Sequence, residues 1–473
     1  MEPTLPRFIV IETVDRIGYL SYIREGGEAD GFMRFMEPKV TAPYAKFEVE
    51  SSETEGLVHI RSCQNNKYWQ RMNIPHVPWG HWIATGSKEK EEDRSKEWCT
   101  LFEFIPVDPA KNKFRIMHVQ SDRYLCSPLM DDPKFDHGLL SYHKEFDYQN
   151  ADVFTIIDWS SLLILPKHVV FKGDNDKYMY LYRDTLPYFG TYDIGVPTAA
   201  FEILPTNDGN IRIKCSKTGK FFRCENSKWI HVDKTSADNP DTIFRPVKID
   251  DQKIALISLS NNNFCKRLSD DGYGDALAAD ITSATKETQL TVEEPVLTRE
   301  IYDIKYDVLN SRVHAESVHV LAHGSLTNIT DQPSTMDIKL EYKETRTSSW
   351  KTDLSLKLRM KTTMKFDVPL VSKGGIEFSA EVQSGVEWGK VFETTTNREV
   401  VHKVAVPPMS MVTVNLVATK GLCDVPFRYK QRDTLYDGSS VTSAVQGGTY
   451  FGSNYHSMKY EVRAEKLPPG STQ

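Results

Sequence analysis

A chain of 473 residues has room for about three domains, and its 40% hydrophobic and 11% aromatic content supplies compact cores rich in Tyr and Phe. The net charge of −7 argues against a nucleic-acid binder, whose affinity rests on neutralising phosphates, so no nucleic-acid partner is expected. No apolar run reaches the ~18 residues of a membrane-spanning helix, and the seven scattered cysteines show neither CxxC nor Cys/His spacing, so neither a metal nor a cofactor is expected.

In chain order, the start MEPTLPRFIVIETVDRIGYL has neither the basic stretch nor the apolar run of a secretory leader. The expectation is a protein that is cytoplasmic as synthesised, with membrane association after oligomerisation. From there to about residue 295 one pattern recurs: a strand, a polar turn, and a strand led by an aromatic residue. The leading aromatics are Tyr19, Tyr68, Tyr124, Tyr178, Phe221 and Phe264. Each unit closes on a short strand, led in turn by Phe47, Phe102, Phe154, Phe201, Phe244 and Leu290.

These units fall into two groups of three, joined by DWSSLLILPK. Each short unit buries only a few apolar positions, so three are needed to close a core, which is the requirement of a β-trefoil. The stretch GLVHIRSCQNNKYWQRM…HWIATG parallels GNIRIKCSKTGKFFRC…KWIHVD in order and spacing, so a whole domain is duplicated. The expected domains are a trefoil over 1–157, a second over 158–296, and a third, different domain over 297–473.

Within the first group, HVPWGHW gathers two Trp faces, a His and a Gly, the residue types that meet a sugar's C–H patch and hydroxyls. Trp82 has a competing reading as a core residue, because Trp229 holds the equivalent place in KWIHVD.

The segments FMRF, YAKFEVE, GLVHIRS, NKYW, HWIATG and EWCTLF, followed by DVFTIIDW and FKGDNDKYMYL, resemble the amaranthin-like plant agglutinins over about residues 5–295. That resemblance implies two tandem β-trefoils and binding of GalNAc or the Gal–GalNAc disaccharide at a head-to-tail dimer interface. It places the carbohydrate site at Pro78, Trp79, Gly80, His81 and Trp82 of one chain. The partner's second trefoil would supply Tyr188, Phe189, Gly190, Thr191 and Tyr192. The loop LPYFGTYD lacks an evident amide side chain, a departure from the family pattern.

Beyond EEPVLTREI the aromatic-led repeats stop and long alternating stretches begin. In 352–388 the even positions are Leu354, Leu356, Leu358, Met360, Thr362, Met364, Phe366, Val368 and Leu370, then Ile376, Phe378, Ala380 and Val382. The odd positions are polar, with basic residues on the first arm and Glu377 and Glu381 on the second. Period-two patterning on two arms reads as a β-hairpin with a turn over 369–375, its even row facing one side. Pairing 357 with 381 and 361 with 377 would set opposite charges together. The same alternation fits an ordinary surface hairpin with its apolar side on a core.

The marks NITDQPSTMDIKLEY, SSW, VAVPPMSMVTV and GGTYFGSNYHSMKYEV, flanking that stretch, resemble the aerolysin and natterin-like toxins over about 298–465. The likeness implies an elongated antiparallel β module whose 352–388 loop becomes a lipid-facing stem, several hairpins closing a barrel so that no backbone edge meets lipid. The fold class expected is therefore all-β. The function expected is a lectin that oligomerises and inserts a pore, as in plant defence, with glycans, membranes and copies of itself as partners. One alternative is a lectin whose C-terminal module only oligomerises it. A remoter one is a glycosidase, although GxSxG, HExxH and P-loop motifs are absent from the sequence.

Overall fold

The computed structural model describes residues 5–468 apart from 74–80, 148, 226, 238, 357–361 and 387–388. The described residues form an all-β chain with a few single-turn 3₁₀ helices. Two compact units emerge: one comprises 1–300 with 353–360 and 431–443, the other 301–352 with 361–430 and 444–473.

The first unit holds two twelve-stranded sheets, each built from three four-strand repeats. In the first, the opening and closing strands of the repeats form a ring. Phe8–Thr13 pairs with Phe47–Ser51, which pairs with Leu57–Ser62 and so on through Phe102–Asp108 and Lys113–His118 to Phe154–Asp158. The last strand returns to the first, Ile9 opposite Asp158 and Thr13 opposite Phe154. The second sheet closes the same way, Val170 opposite Glu293. Full closure leaves these six strands no free edge. The two middle strands of each repeat form a hairpin off the ring, as with Tyr68–Met72 against Trp82–Ser87.

The sequence periodicity explains the closure. All six unit-closing residues, Phe47, Phe102, Phe154, Phe201, Phe244 and Leu290, open their strands and are fully buried. Phe47 meets Trp69 edge-on at 5.2 Å and Phe201 meets Phe222 edge-on at 5.1 Å, the geometry favoured by the ring quadrupole. One closed core therefore sits inside each barrel. The joining segment is pinned by Asp158, whose carboxylate caps the 3₁₀ turn Trp159–Ser161. Trp159 is buried with Val10, Tyr19 and Val40.

The eight-stranded antiparallel sheet runs in the order Gly375–Val386, Thr362–Ser372, Val296–Tyr306, Ser410–Leu435, Ser440–Lys466, Ser334–Lys351, Phe392–Val406, with Arg312–Asn328 also on Ser410–Leu435. Its strands are long, up to 27 residues. Within the second unit one core gathers Trp350, Val368, Val371, Phe427 and Tyr450, and another gathers Ile338, Leu340, Val404, Val412 and Leu416.

The alternating stretch departs from expectation in three ways. Residues 353–356 are not strand: the first arm starts at Thr362, and Leu356 lies in the core of the second trefoil. Pro369–Val371 are strand, not turn, because Ser372 pairs with Gly375 across the two residues Lys373 and Gly374. Gly375 takes a φ of +122°, which a side chain would resist. Third, the register sets Val368 opposite Ser379 and Leu370 opposite Glu377, not 361 opposite 377. A two-residue turn always joins an even position to an odd one. Directly opposed residues share a face, so Val368 and Leu370 lie on one face of the hairpin while Ile376 and Phe378 lie on the other.

Candidate functional site

The described residues of the expected sugar site lie at the strand Trp82–Ser87 of the first trefoil and at the strand Leu186–Thr191 of the second. On the first trefoil, Trp79 and Gly80, with Pro78, lie outside the described residues. His81 enters the strand Trp82–Ser87, and its carbonyl accepts from Ser141 N at 2.8 Å. Its imidazole faces Arg71, with Nη1 to Nδ1 at 3.4 Å. Burial, then the Arg71 and Arg123 guanidinium groups, holds its pKa below the usual value, which favours the neutral ring.

Trp82 is a core residue: 1% exposed, edge-on to Phe32 at 5.7 Å, and packed against Phe135. Gly138 is required there, since a Cβ would overlap the Trp82 ring. Trp229, its counterpart in the duplicate, is likewise buried. Trp82 therefore presents no face to a ligand.

A residue that motif reading missed lies nearby in the chain. Glu97 pairs with Arg71 at 3.6 Å, and the next residue, Trp98, is 53% exposed. Trp98 lies in the segment EWCTLF, but nothing in that segment marks it as exposed; the fold does.

On the second trefoil, Tyr188 and Phe189 lie in the strand Leu186–Thr191. Phe189 is fully buried in the barrel core, while Tyr188 on the opposite side of the strand is partly exposed. Tyr188 meets Tyr180 edge-on at 5.6 Å and Tyr182 at 6.0 Å. Gly190 allows this, because a Cβ would run into the Tyr188 ring. Thr191 Oγ1 accepts from Asp193 N at 3.0 Å and shapes the turn. Tyr192 is 74% exposed, with Lys177 Nζ 5.6 Å from its ring centre. Tyr180, Tyr188, Tyr192 and the exposed Tyr182 thus give amphipathic rings with polar tips, and Tyr180 and Tyr182 were not among the residues expected.

For the expected stem, Leu354 and Leu356 lie in the first unit, Leu358 and Met360 fall outside the described residues, and Met364, Phe366, Ala380 and Val382 lie in the hairpin strands. Val368 is buried and Leu370 and Ile376 are partly buried against the same core. Phe378, 47% exposed, rests against the Tyr306 ring at 5.6 Å. The hairpin is held by Asn454: its Oδ1 accepts from Val371 N at 2.7 Å and its Nδ2 donates to Val371 O at 2.9 Å. This buried amide mimics a neighbouring strand with one side chain. Gly421 lets Val371 approach, a Cβ there lying 3.0 Å from its Cγ1.

Other candidates are occupied. Asn328 opens the triplet Asn328-Ile329-Thr330, which fits an N-glycosylation acceptor, but its amide is buried and donates to Gln332 O at 2.8 Å and Val406 O at 3.1 Å, so it is not free for a glycan in the folded chain. The acidic loop around Gly272 spends Asp270 and Asp271 on Lys228 and Asp275 on Arg267. The seven cysteines are free thiols.

Two closed barrels in succession along the chain, each built from three four-strand repeats, define a double β-trefoil. The chain belongs to the agglutinin-domain family, whose model matches residues 3–158 and 163–287. It is accordingly a lectin-type, carbohydrate-binding protein. Solved structures similar to it include lamprey immune protein, at 16% identity over 54% of this chain and 87% of that one, with a TM-score of 0.31. A mosquitocidal holotoxin matches at 12% identity over 63% of this chain and 35% of that one, TM-score 0.28. The designed threefold-symmetric protein ThreeFoil matches at 12% over 27% and 98%, TM-score 0.24. These likenesses are too remote to carry function.

Proposed function

We propose that the protein is a lectin for GalNAc-containing glycans that assembles on a glycan-bearing surface into a homo-oligomer and inserts a β-barrel, in defence and without enzymatic turnover. Its proposed division is lectin repeats over 1–157 and 158–296 and a pore-forming module over 297–473. The glycan would meet the His81 loop of one copy and the Tyr188–Tyr192 loop of another, by the family resemblance. The protein would be made in the cytoplasm and reach membranes when it oligomerises.

The observation that carries the pore reading is the hairpin Thr362–Ser372 and Gly375–Val386. Its arms are 11 and 12 residues long, against the roughly 9–11 that cross a bilayer, and it forms the outermost pair of the sheet. An outermost pair can leave without breaking the sheet behind it. Apolar burial in lipid, at about 25 cal/mol per Å², then offsets the loss of its protein contacts.

A second reading is a lectin whose C-terminal module only oligomerises it. The hairpin register favours that reading, since Val368 and Ile376 lie on opposite faces, so the described apolar residues of the hairpin do not share one side. A glycan array followed by negative-stain imaging on glycolipid liposomes separates the two. Membrane-inserted rings support the pore; glycan-bound protein without rings supports the second reading.

A further inference from the structure

We propose that residues 353–356 form a strap by which the lectin unit restrains the upstream end of the 362–386 hairpin, latched by the ion pair Lys46–Asp353. This rests on the pore reading above. Ser355 binds the segment that joins the two trefoils much as a strand residue would. Its N–H donates to Ile164 O at 3.0 Å, its Oγ accepts from Ile164 N at 2.8 Å, and the same hydroxyl lies 3.2 Å from Leu162 O. Its carbonyl accepts from Lys248 Nζ at 3.0 Å. The next residue, Leu356, is 5% exposed and belongs to the core of the second trefoil together with Leu163 and Leu165.

The latch lies at the other end of the strap. Asp353 Oδ1 accepts from Lys46 Nζ at 2.8 Å, and both side chains are largely buried. The ammonium also lies 4.7 Å from the Trp159 ring centre and 5.1 Å from that of Phe8. Asp353 Oδ2 is buried with no hydrogen-bond partner. The carboxylate therefore depends on a single cation, and removing that cation leaves a partly buried charge unpaired. The first trefoil (Lys46), the joining segment (Leu162, Ile164) and the second trefoil (Lys248) all hold four consecutive residues that form no strand.

The consequence follows from chain continuity. The apolar alternation of the first arm begins at Leu354, eight residues before the strand does. An arm that lengthens into that alternation on insertion must first pull Ser355 and Leu356 out of the lectin unit. The strap thus couples the state of the lectin repeats to the freedom of the hairpin.

The test uses the full chain with Lys46→Met, Asp353→Asn and the charge swap Lys46→Asp/Asp353→Lys, with Ser355→Pro as a variant that removes the N–H donor instead. In solution, hydrogen exchange at the Ile164 amide is expected to quicken about tenfold or more in each single variant and to recover in the swap. Dye release from GalNAc-glycolipid liposomes is expected to lose part of its lag in the same variants. Unchanged exchange in both latch variants and in Ser355→Pro overturns the strap. Quickened exchange with an unchanged lag overturns its coupling to insertion. Quickened exchange with no release from any variant, the parent included, overturns the pore reading instead.

Discussion

Among single residues, the fold separates rings that can meet a ligand from rings that build the loop. Tyr188→Ala and Tyr192→Ala are expected to weaken glycan binding about five- to tenfold by titration calorimetry while leaving the melting temperature unchanged. Equal affinity in both would remove this loop from the ligand path. Trp82→Ala is expected instead to cost about 3–5 kcal/mol of first-trefoil stability in denaturant titration, since it empties a packed site. His118 sets a pH dependence. It is fully buried, with Nε2 3.0 Å from Cys99 O and Nδ1 2.9 Å from Ser121 Oγ, and burial pushes its pKa down to about 4 from 6.5. The unfolded chain therefore binds the proton first. The stability due to the neutral ring is fully present above pH 6.5 and is lost as pH falls toward 4, by about 3 kcal/mol. The pH dependence of unfolding should flatten over that window in His118→Gln. For Trp82 the sequence offered a sugar-site reading and, through its counterpart Trp229, a core reading, and burial decided between them, whereas Trp98 and Tyr182 became candidates only when the fold showed them exposed.

At the scale of elements, the repeat signal was readable because each closing strand begins with the residue that plugs the barrel, from Phe47 to Leu290. The hairpin was readable as two arms, but not its register. Alternation fixes which residues share a face within an arm, and only the turn length fixes how the arms are phased. Ser372 and Gly375 close a two-residue turn, which puts the apolar rows out of phase. A hairpin with one lipid-facing side therefore requires a one-residue slip on insertion. A disulfide between Leu370→Cys and Glu377→Cys, directly opposed positions, should lock the present register. Oxidised protein is expected to bind glycan normally and to release no dye, with release returning on reduction; release from the oxidised form would show that no slip occurs. Asn454→Ala leaves the Val371 N–H and C=O without their buried partner, and about 1–3 kcal/mol of local protection should be lost at the Val371 amide by hydrogen exchange.

For the whole molecule, a pair of agglutinin-family trefoils precedes a sheet whose outermost hairpin is held by two kinds of contact. Asn454 and the Tyr306 ring restrain the arms, and Ser355, Leu356 and Lys46 restrain the chain before them. Leu356 is a poor site for probing the membrane step, because an Asp there would damage the second trefoil core as well. Phe378 is the better one, being in the hairpin and half-exposed. The most direct measurement is dye release from liposomes with and without GalNAc-terminated glycolipid, comparing the parent chain with Phe378→Asp. Release is expected to need the glycolipid and to be lost in the variant, with glycan binding equal in both. Saturating, glycan-dependent binding of the parent with no release would contradict it.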